Sequence, residues 1–132
     1  MARSSKSRGE LAEIRFMLAA AARGFVVAKP WGDNLPFDFL VGRGKRFYRV
    51  QVKLSSARHC RGFQVNCRRS QGRRRYTARD IDFLVAYISP ARTWYVIPIR
   101  ALRGRTSIAV FPRQPVSHGQ FEGFRNRFDL LR

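Results

Sequence analysis

The sequence predicts one domain built on a mixed β-sheet with helices packed against it, an α/β fold (α+β is the alternative) opening α-β-β-β. Three observations predict it. A 132-residue chain is long enough for a single core and shows no internal repeat. The first 24 residues carry helix start, spacing and stop signals. The stretch Asp38–Lys53 then sorts by alternation into one apolar and one polar face, the mark of a hairpin with one side in the core.

Met1–Lys6 reads as a mobile basic arm. Ser7 opens the helix, since Ser7-Arg8-Gly9-Glu10 fits a capping box in which serine and glutamate each satisfy an orphan amide. Leu11, Ile14, Leu18, Ala21 and Ala22 recur at helical spacing and form the expected buried stripe, with Gly24 as the stop. Capping explains Glu10. It does not explain Glu13, which lies beside the stripe.

Phe25–Ala28 is a short apolar strand. Lys29–Pro36 is a loop dense in turn residues, with Asp33 as a turn former. The hairpin follows, with Gly42–Lys45 as a four-residue loop. One face collects Phe37, Phe39 and Val41 with Tyr48, Val50, Val52 and Leu54. The other collects Asp38, Leu40, Phe47, Arg49, Gln51 and Lys53, so an acid, an amide and a lysine meet on a rigid sheet. Most such faces are simply wetted. Asp38 is nevertheless one of only 8 acids against 27 Lys and Arg, and it interrupts an apolar run where a lone carboxylate is costly. A divalent cation would compensate it.

Ser55–Arg75 is the most basic stretch, with a short strand at Phe63–Cys67. Arg58, Arg61, Arg68, Arg69, Arg73, Arg74 and Arg75, together with Arg49, are the candidate contacts to a phosphate backbone. His59, Cys60 and Cys67 lack a Cys-x-x-Cys pair and make a poor zinc set. Asp80-Ile81-Asp82 leads into a buried strand, Phe83–Ile88. Thr93–Ile99 is its partner, and Ser107–Phe111 a further strand. The tail Gly119–Leu131 reads as a terminal helix with Phe121, Phe124 and Phe128 on one face.

The net charge of +19 and a pI near 11.7 point to a polyanionic partner. No basic helix has a large apolar face, so a membrane surface is disfavoured. Two cysteines do not make a secreted disulfide framework, and the start of the chain lacks an apolar signal core, so an intracellular, soluble protein is expected. Charge alone does not separate a nuclease from a silent nucleic-acid-binding module, or from a basic structural RNA-binding protein.

Glu13 on the helix, Asp38 on the next strand but one, and Gln51-Val52-Lys53 together resemble the PD-(D/E)XK nuclease superfamily. Asp38 matches the motif aspartate and Gln51-Val52-Lys53 its E-x-K tripeptide, here spaced D-x(12)-Q-x-K, and Gly-Glu-Leu-Ala-Glu at 9–13 is similar to archaeal Holliday-junction resolvases. Phe37 replaces the family's frequent proline, and Gln51 stands where most members carry Glu or Asp. The subset resembling intron-encoded homing endonucleases has Gln there. Asp82-Phe83, Tyr87, Trp94-Tyr95, Ile97-Pro98 and Phe128-Asp129-Leu130-Leu131 resemble its second half, so the likeness spans nearly the whole chain.

The resemblance implies a restriction-endonuclease-like core and a Mg²⁺-dependent DNA endonuclease, with Mn²⁺ as a substitute. Glu13, Asp38, Gln51 and Lys53 would be catalytic, and Asp38, Gln51, the Val52 carbonyl and Glu13 would hold the metal. It implies duplex or branched DNA as substrate and a homodimer or larger symmetric assembly, since cutting two strands takes two sites. An uncharged Gln51 implies weaker metal binding.

Overall fold

A computed structural model describes residues 4–32, 34–69 and 72–132. Residues 1–3 of the expected arm and the expected turn former Asp33 lie outside them.

Helix α1 spans Ser5–Ala22. It starts before the expected Ser7: Ser4, in extended backbone, is the N-cap, and its Oγ accepts from the Ser7 amide at 3.2 Å. The stop is as expected. Gly24 takes φ +87°, and the amides of Gly24 and Phe25 donate back to the Ala21 and Ala20 carbonyls.

The buried stripe differs from the expected one. Ala12, Phe16 and Ala20, four residues apart, face the sheet, while Ile14 and Leu18 are 55% and 71% exposed. Two alanines let the helix approach the sheet closely around the Phe16 ring, and that contact outweighs the greater hydrophobicity of Ile14 and Leu18.

Among the described residues eight strands follow: β1 Val26–Ala28, β2 Phe39–Arg43, β3 Arg46–Ser55, β4 Arg58–His59, β5 Gly62–Asn66, β6 Phe83–Ile88, β7 Thr93–Pro98 and β8 Ser107–Val110. A single helical turn, α2 (Ile99–Leu102), separates β7 from β8. The central sheet has order β1-β2-β3-β6-β7, with β3 and β6 parallel and the other pairs antiparallel. Strands β4, β5 and β8 form a second, antiparallel sheet.

The β2–β3 hairpin closes more tightly than expected. The ladder runs on to Arg43↔Arg46, leaving Gly44-Lys45 as a two-residue turn with Gly44 at φ +68°. Gly42 is thus a strand residue. A Cβ there would sit 2.0 Å from the Arg46 carbonyl oxygen, so the close approach itself demands glycine.

Both faces of the central sheet are covered, which explains why β6 is buried along its whole length. Phe83, Val85 and Tyr87 point to the α1 side with Phe39, Val41, Val50 and Val52. Leu84, Ala86 and Ile88 point to the second sheet, where Phe63, Val65, Ile108 and Val110 meet them. Phe37 packs on this second core, not beside Phe39, because regular pairing starts only at Phe39 and the chain bends before it.

The tail is not the expected α-helix. It makes 3₁₀ turns at Val116–His118, Glu122–Phe124 and Phe128–Leu131. Phe121 enters the second core and Phe128 the first, so the tail wraps the β7 edge. A Tyr95↔Arg125 bridge and a bond from the Asn126 amide to the Trp94 carbonyl (2.8 Å) fasten it there. The Phe128 ring stacks on Phe16 with centroids 6.2 Å apart, closing the layer under α1.

Candidate active site

Strand β3 extends past the start of β2. Phe39 pairs with Val50, and the Asp38 amide donates to the Val50 carbonyl at 2.8 Å. The next amide on that side of β3, Val52, has no strand to pair with. The Asp38 carboxylate takes the place: Oδ2 accepts from the Val52 amide at 2.8 Å. A side chain thereby completes the ladder and carries a charge to the strand that bears Gln51 and Lys53.

Glu13 comes from α1, on the turn beside Ala12 and Phe16. It pairs with Lys29, Oε1 to Nζ 2.9 Å. Glu13, Lys29, Phe37 and Asp38 line one open cleft of about 780 Å³, with Trp31, fully exposed, at its rim. Burial pushes the Asp38 carboxyl up to about 6; the Val52 hydrogen bond, Lys29 and Lys53 oppose that push, and Glu13 reinforces it.

Lys53 is held from below. Its Nζ donates to the Arg68 carbonyl at 2.8 Å and lies 5.3 Å from the Tyr76 ring centroid. Burial lowers its pKa below the ordinary lysine range, while Asp38 pulls the other way. Beneath it the Cys67 thiol is pushed up to about 12 by burial, so it is an inert apolar neighbour.

Among the described residues, no three His, Cys, Asp or Glu side chains converge as a metal cluster. A cation here would rely on two carboxylates, Asp38 and Glu13, supplemented by the Gln51 amide oxygen and the Val52 carbonyl. Those are all hard oxygen donors and suit Mg²⁺ chemistry. Gln51 as placed turns its Nε2 toward the Val52 carbonyl, at 3.2 Å. A half-turn of the amide presents Oε1 instead. The donor set fits, with one neutral ligand where a third carboxylate would bind more strongly.

The basic residues divide. Arg49 was expected among the phosphate contacts, but its guanidinium is engaged internally: NH1 and NH2 donate to the Arg79 and Ala78 carbonyls at 2.6 and 2.8 Å, and NH2 meets Asp82 Oδ1 at 3.1 Å. Arg69 pairs with buried Asp80 at 3.3 Å, and Arg74 shares that carboxylate at 3.7 Å. Arg58, Arg61, Arg68, Arg73 and Arg75 are exposed and, among the described residues, in no ion pair.

Lys29, Tyr76 and Trp31 escaped sequence reasoning. Lys29 and Trp31 sit in a loop without periodicity, and Tyr76 reaches Lys53 from 23 positions away. The bare clue was a lysine and a tryptophan flanking Pro30.

Comparison with known proteins adds two findings. The family model described as PD-(D/E)XK endonuclease matches residues 3–127. The solved structure of a bacterial homing endonuclease, I-Ssp6803I, is 28% identical, with a TM-score of 0.80, over 98% of this chain and 91% of that one. No curated protein matches the chain significantly.

Proposed function

The chain belongs to the PD-(D/E)XK endonuclease family, and from that premise we propose that it is a divalent-metal-dependent DNA endonuclease working through Glu13, Asp38, Gln51 and Lys53. The observation that carries this reading is the Val52-to-Asp38 hydrogen bond. It seats the motif aspartate directly on the Gln51-Val52-Lys53 tripeptide, although the two motifs are separated in sequence.

Asp38 and Glu13, with the Gln51 and Val52 oxygens, would hold the cation. A bound divalent ion supplies a more acidic water and neutralises phosphate charge. The chain's own residues do the rest. Lys53, anchored on the Arg68 carbonyl, directs an N–H at the attacking water or at the charge growing on phosphorus. Lys29 holds the Glu13 carboxylate at the cleft wall. Exposed Arg58, Arg61, Arg68, Arg73 and Arg75 supply the sequence-independent pull on the backbone. Mg²⁺ is the natural ion for an all-oxygen set, and Mn²⁺ suits it too. A double-strand cut calls for two sites, so the active form is a homodimer or larger symmetric assembly.

The test is cleavage of supercoiled plasmid and of a branched junction, with Mg²⁺ and with EDTA, beside Asp38→Ala. Metal-dependent cutting that the variant loses supports the reading, and the preferred substrate separates junction from duplex. Undiminished cutting by Asp38→Ala overturns the site. Tight binding without cutting by the wild type makes the chain a silent binding module. Sedimentation as a monomer at micromolar concentration overturns the assembly.

A further inference from the structure

The outer face of the β4–β5–β8 sheet has no part in the chemistry above. Along β5, Phe63 and Val65 turn inward to the second core, while Gln64 and Asn66 turn out to solvent. Along β8, Ile108 and Val110 turn in, and Ser107 turns out. The register pairs Asn66 with Ser107 and Gln64 with Ala109, so the outward polar side chains form one cluster. Gln64 Nε2 donates to Ser107 Oγ at 2.7 Å, and Asn66 Oδ1 accepts from the Arg68 amide at 2.9 Å. Among the described residues, that leaves the side-chain Oε1 of Gln64 and the side-chain amino group of Asn66 without a hydrogen-bond partner, facing solvent. The groove between them, about 370 Å³, is flanked by Arg68 and Arg73, and among the described residues no acid lines it.

Resting on the nuclease reading, we infer that this face is the surface that reads base sequence in the major groove of duplex DNA, with Gln64 and Asn66 as the reading side chains. A wet antiparallel sheet face is ordinarily a mixture of both charges; this one presents directional amides between arginines. An exposed amide oxygen can accept from the amino group of adenine or cytosine and an exposed amide nitrogen can donate to a purine N7, and the major groove is wide enough for a β-ribbon. Alternate residues on a strand recur about every 7 Å, close to two base-pair steps of roughly 3.4 Å each.

Position supports the same partner. Arg68 lines the groove with its side chain while its carbonyl anchors the Lys53 ammonium. One duplex can therefore lie over the sheet and bring a phosphate to the catalytic cleft. Flanking arginines fix the backbone without reading it, and the amides discriminate among bases.

The experiment is selection of binding sites from a randomised duplex pool, in EDTA so that nothing is cut. Wild type is compared with Gln64→Ala/Asn66→Ala and with Gln64→Glu. All three are exposed substitutions, and thermal melts confirm folding. The wild type is expected to select a defined sequence. The double variant should lose roughly tenfold discrimination at two positions about two steps apart, with the slope of log affinity against log salt unchanged. Gln64→Glu should move the preference at one position toward cytosine, whose amino group a carboxylate accepts. No selected sequence from the wild type, an unaltered preference in the variants, or uniform weakening on every sequence overturns the inference. Plasmid cleavage by the wild type with Mg²⁺, run alongside, reports on the nuclease reading alone. Failure there with relaxed selection in the variants convicts the chemistry and not the surface.

Discussion

The amide of Val52 and the carboxylate of Asp38 meet at 2.8 Å at the place where β2 stops pairing with β3. A backbone donor is satisfied, and a carboxylate is kept half-buried at the cleft floor, where its pKa stands at about 6. Between pH 4 and 6 the folded protein therefore keeps a proton that the unfolded chain, near the ordinary 3.8, has already released. The metal-free fold loses stability through this group as pH rises across that window. Asp38→Asn keeps an acceptor for Val52 and has nothing to titrate. Melts in EDTA at pH 4, 5, 6 and 7 should show the variant gaining on the wild type up to about pH 6 and then holding its lead. A pH-independent difference would mean an ordinary carboxyl. Mg²⁺ favours the ionised form and should narrow the gap at pH 7.

Arg49 is expected to be a structural arginine. It bridges β3 to the carbonyls of residues 78 and 79, and with its own amide donating to Asp82 Oδ2 at 2.8 Å it staples the start of β6 to β3. Burial pushes the Asp82 carboxyl up, but the Arg49 bonds outweigh it and hold it below the usual range. That contribution is present at neutral pH and is lost as pH falls below about 4. Arg49→Ala should cost about 2 kcal/mol in urea unfolding, with no change in the salt dependence of DNA binding. A salt slope lower by about 0.9 would instead identify a phosphate contact.

Glu122 is the tail's fastening. Its side chain is buried, accepting from the Tyr95 hydroxyl at 2.5 Å and the Phe111 amide at 2.9 Å while pairing with Arg125 Nε at 2.8 Å. Glu122→Ala leaves a guanidinium and a phenol facing each other without their shared acceptor, at a cost of about 3–5 kcal/mol. Glu122→Gln, which keeps one acceptor oxygen, should fall between that and wild type. Urea midpoints for the three proteins decide; equal midpoints would show the tail to be held by its aromatic contacts alone.

Trp31 stands fully exposed at the rim of the candidate cleft, whereas the second tryptophan, Trp94, is buried. Iodide should therefore quench Trp31 selectively, and bound DNA should protect it. Trp31→Phe should abolish the iodide-sensitive fraction and its response to DNA. Quenching that persists in the complex would place DNA on another face.

The parts of the fold that follow alternation were legible. Strands β6 and β7 lie where apolar runs placed them, and the faces of β3 sorted by parity, because a two-residue period leaves little freedom once one side is core. Helical faces were less legible. Leu11, Ile14 and Leu18 recur at helical spacing just as Ala12, Phe16 and Ala20 do, and closeness of approach, which periodicity does not encode, chose between them. The aromatic spacing at 121, 124 and 128 read as one helical face because the sequence does not show that the chain rounds a sheet edge between them. The motif residues of the candidate site stood out through the scarcity of acids. Their supports did not, since the Arg49–Asp82, Lys53–Arg68 and Glu13–Lys29 contacts each join distant segments without a local signature.

The stacking of Phe16 on Phe128 has a consequence for how the protein is made. Helix α1 is synthesised well before Phe128 and Leu131, the residues that close the layer under it. Until those residues emerge, the buried face of the helix that also carries Glu13 lacks part of its packing, and the helix stays loosely held. The nascent chain is thus disarmed by its own topology, and a cutting activity would appear only after synthesis has passed residue 131.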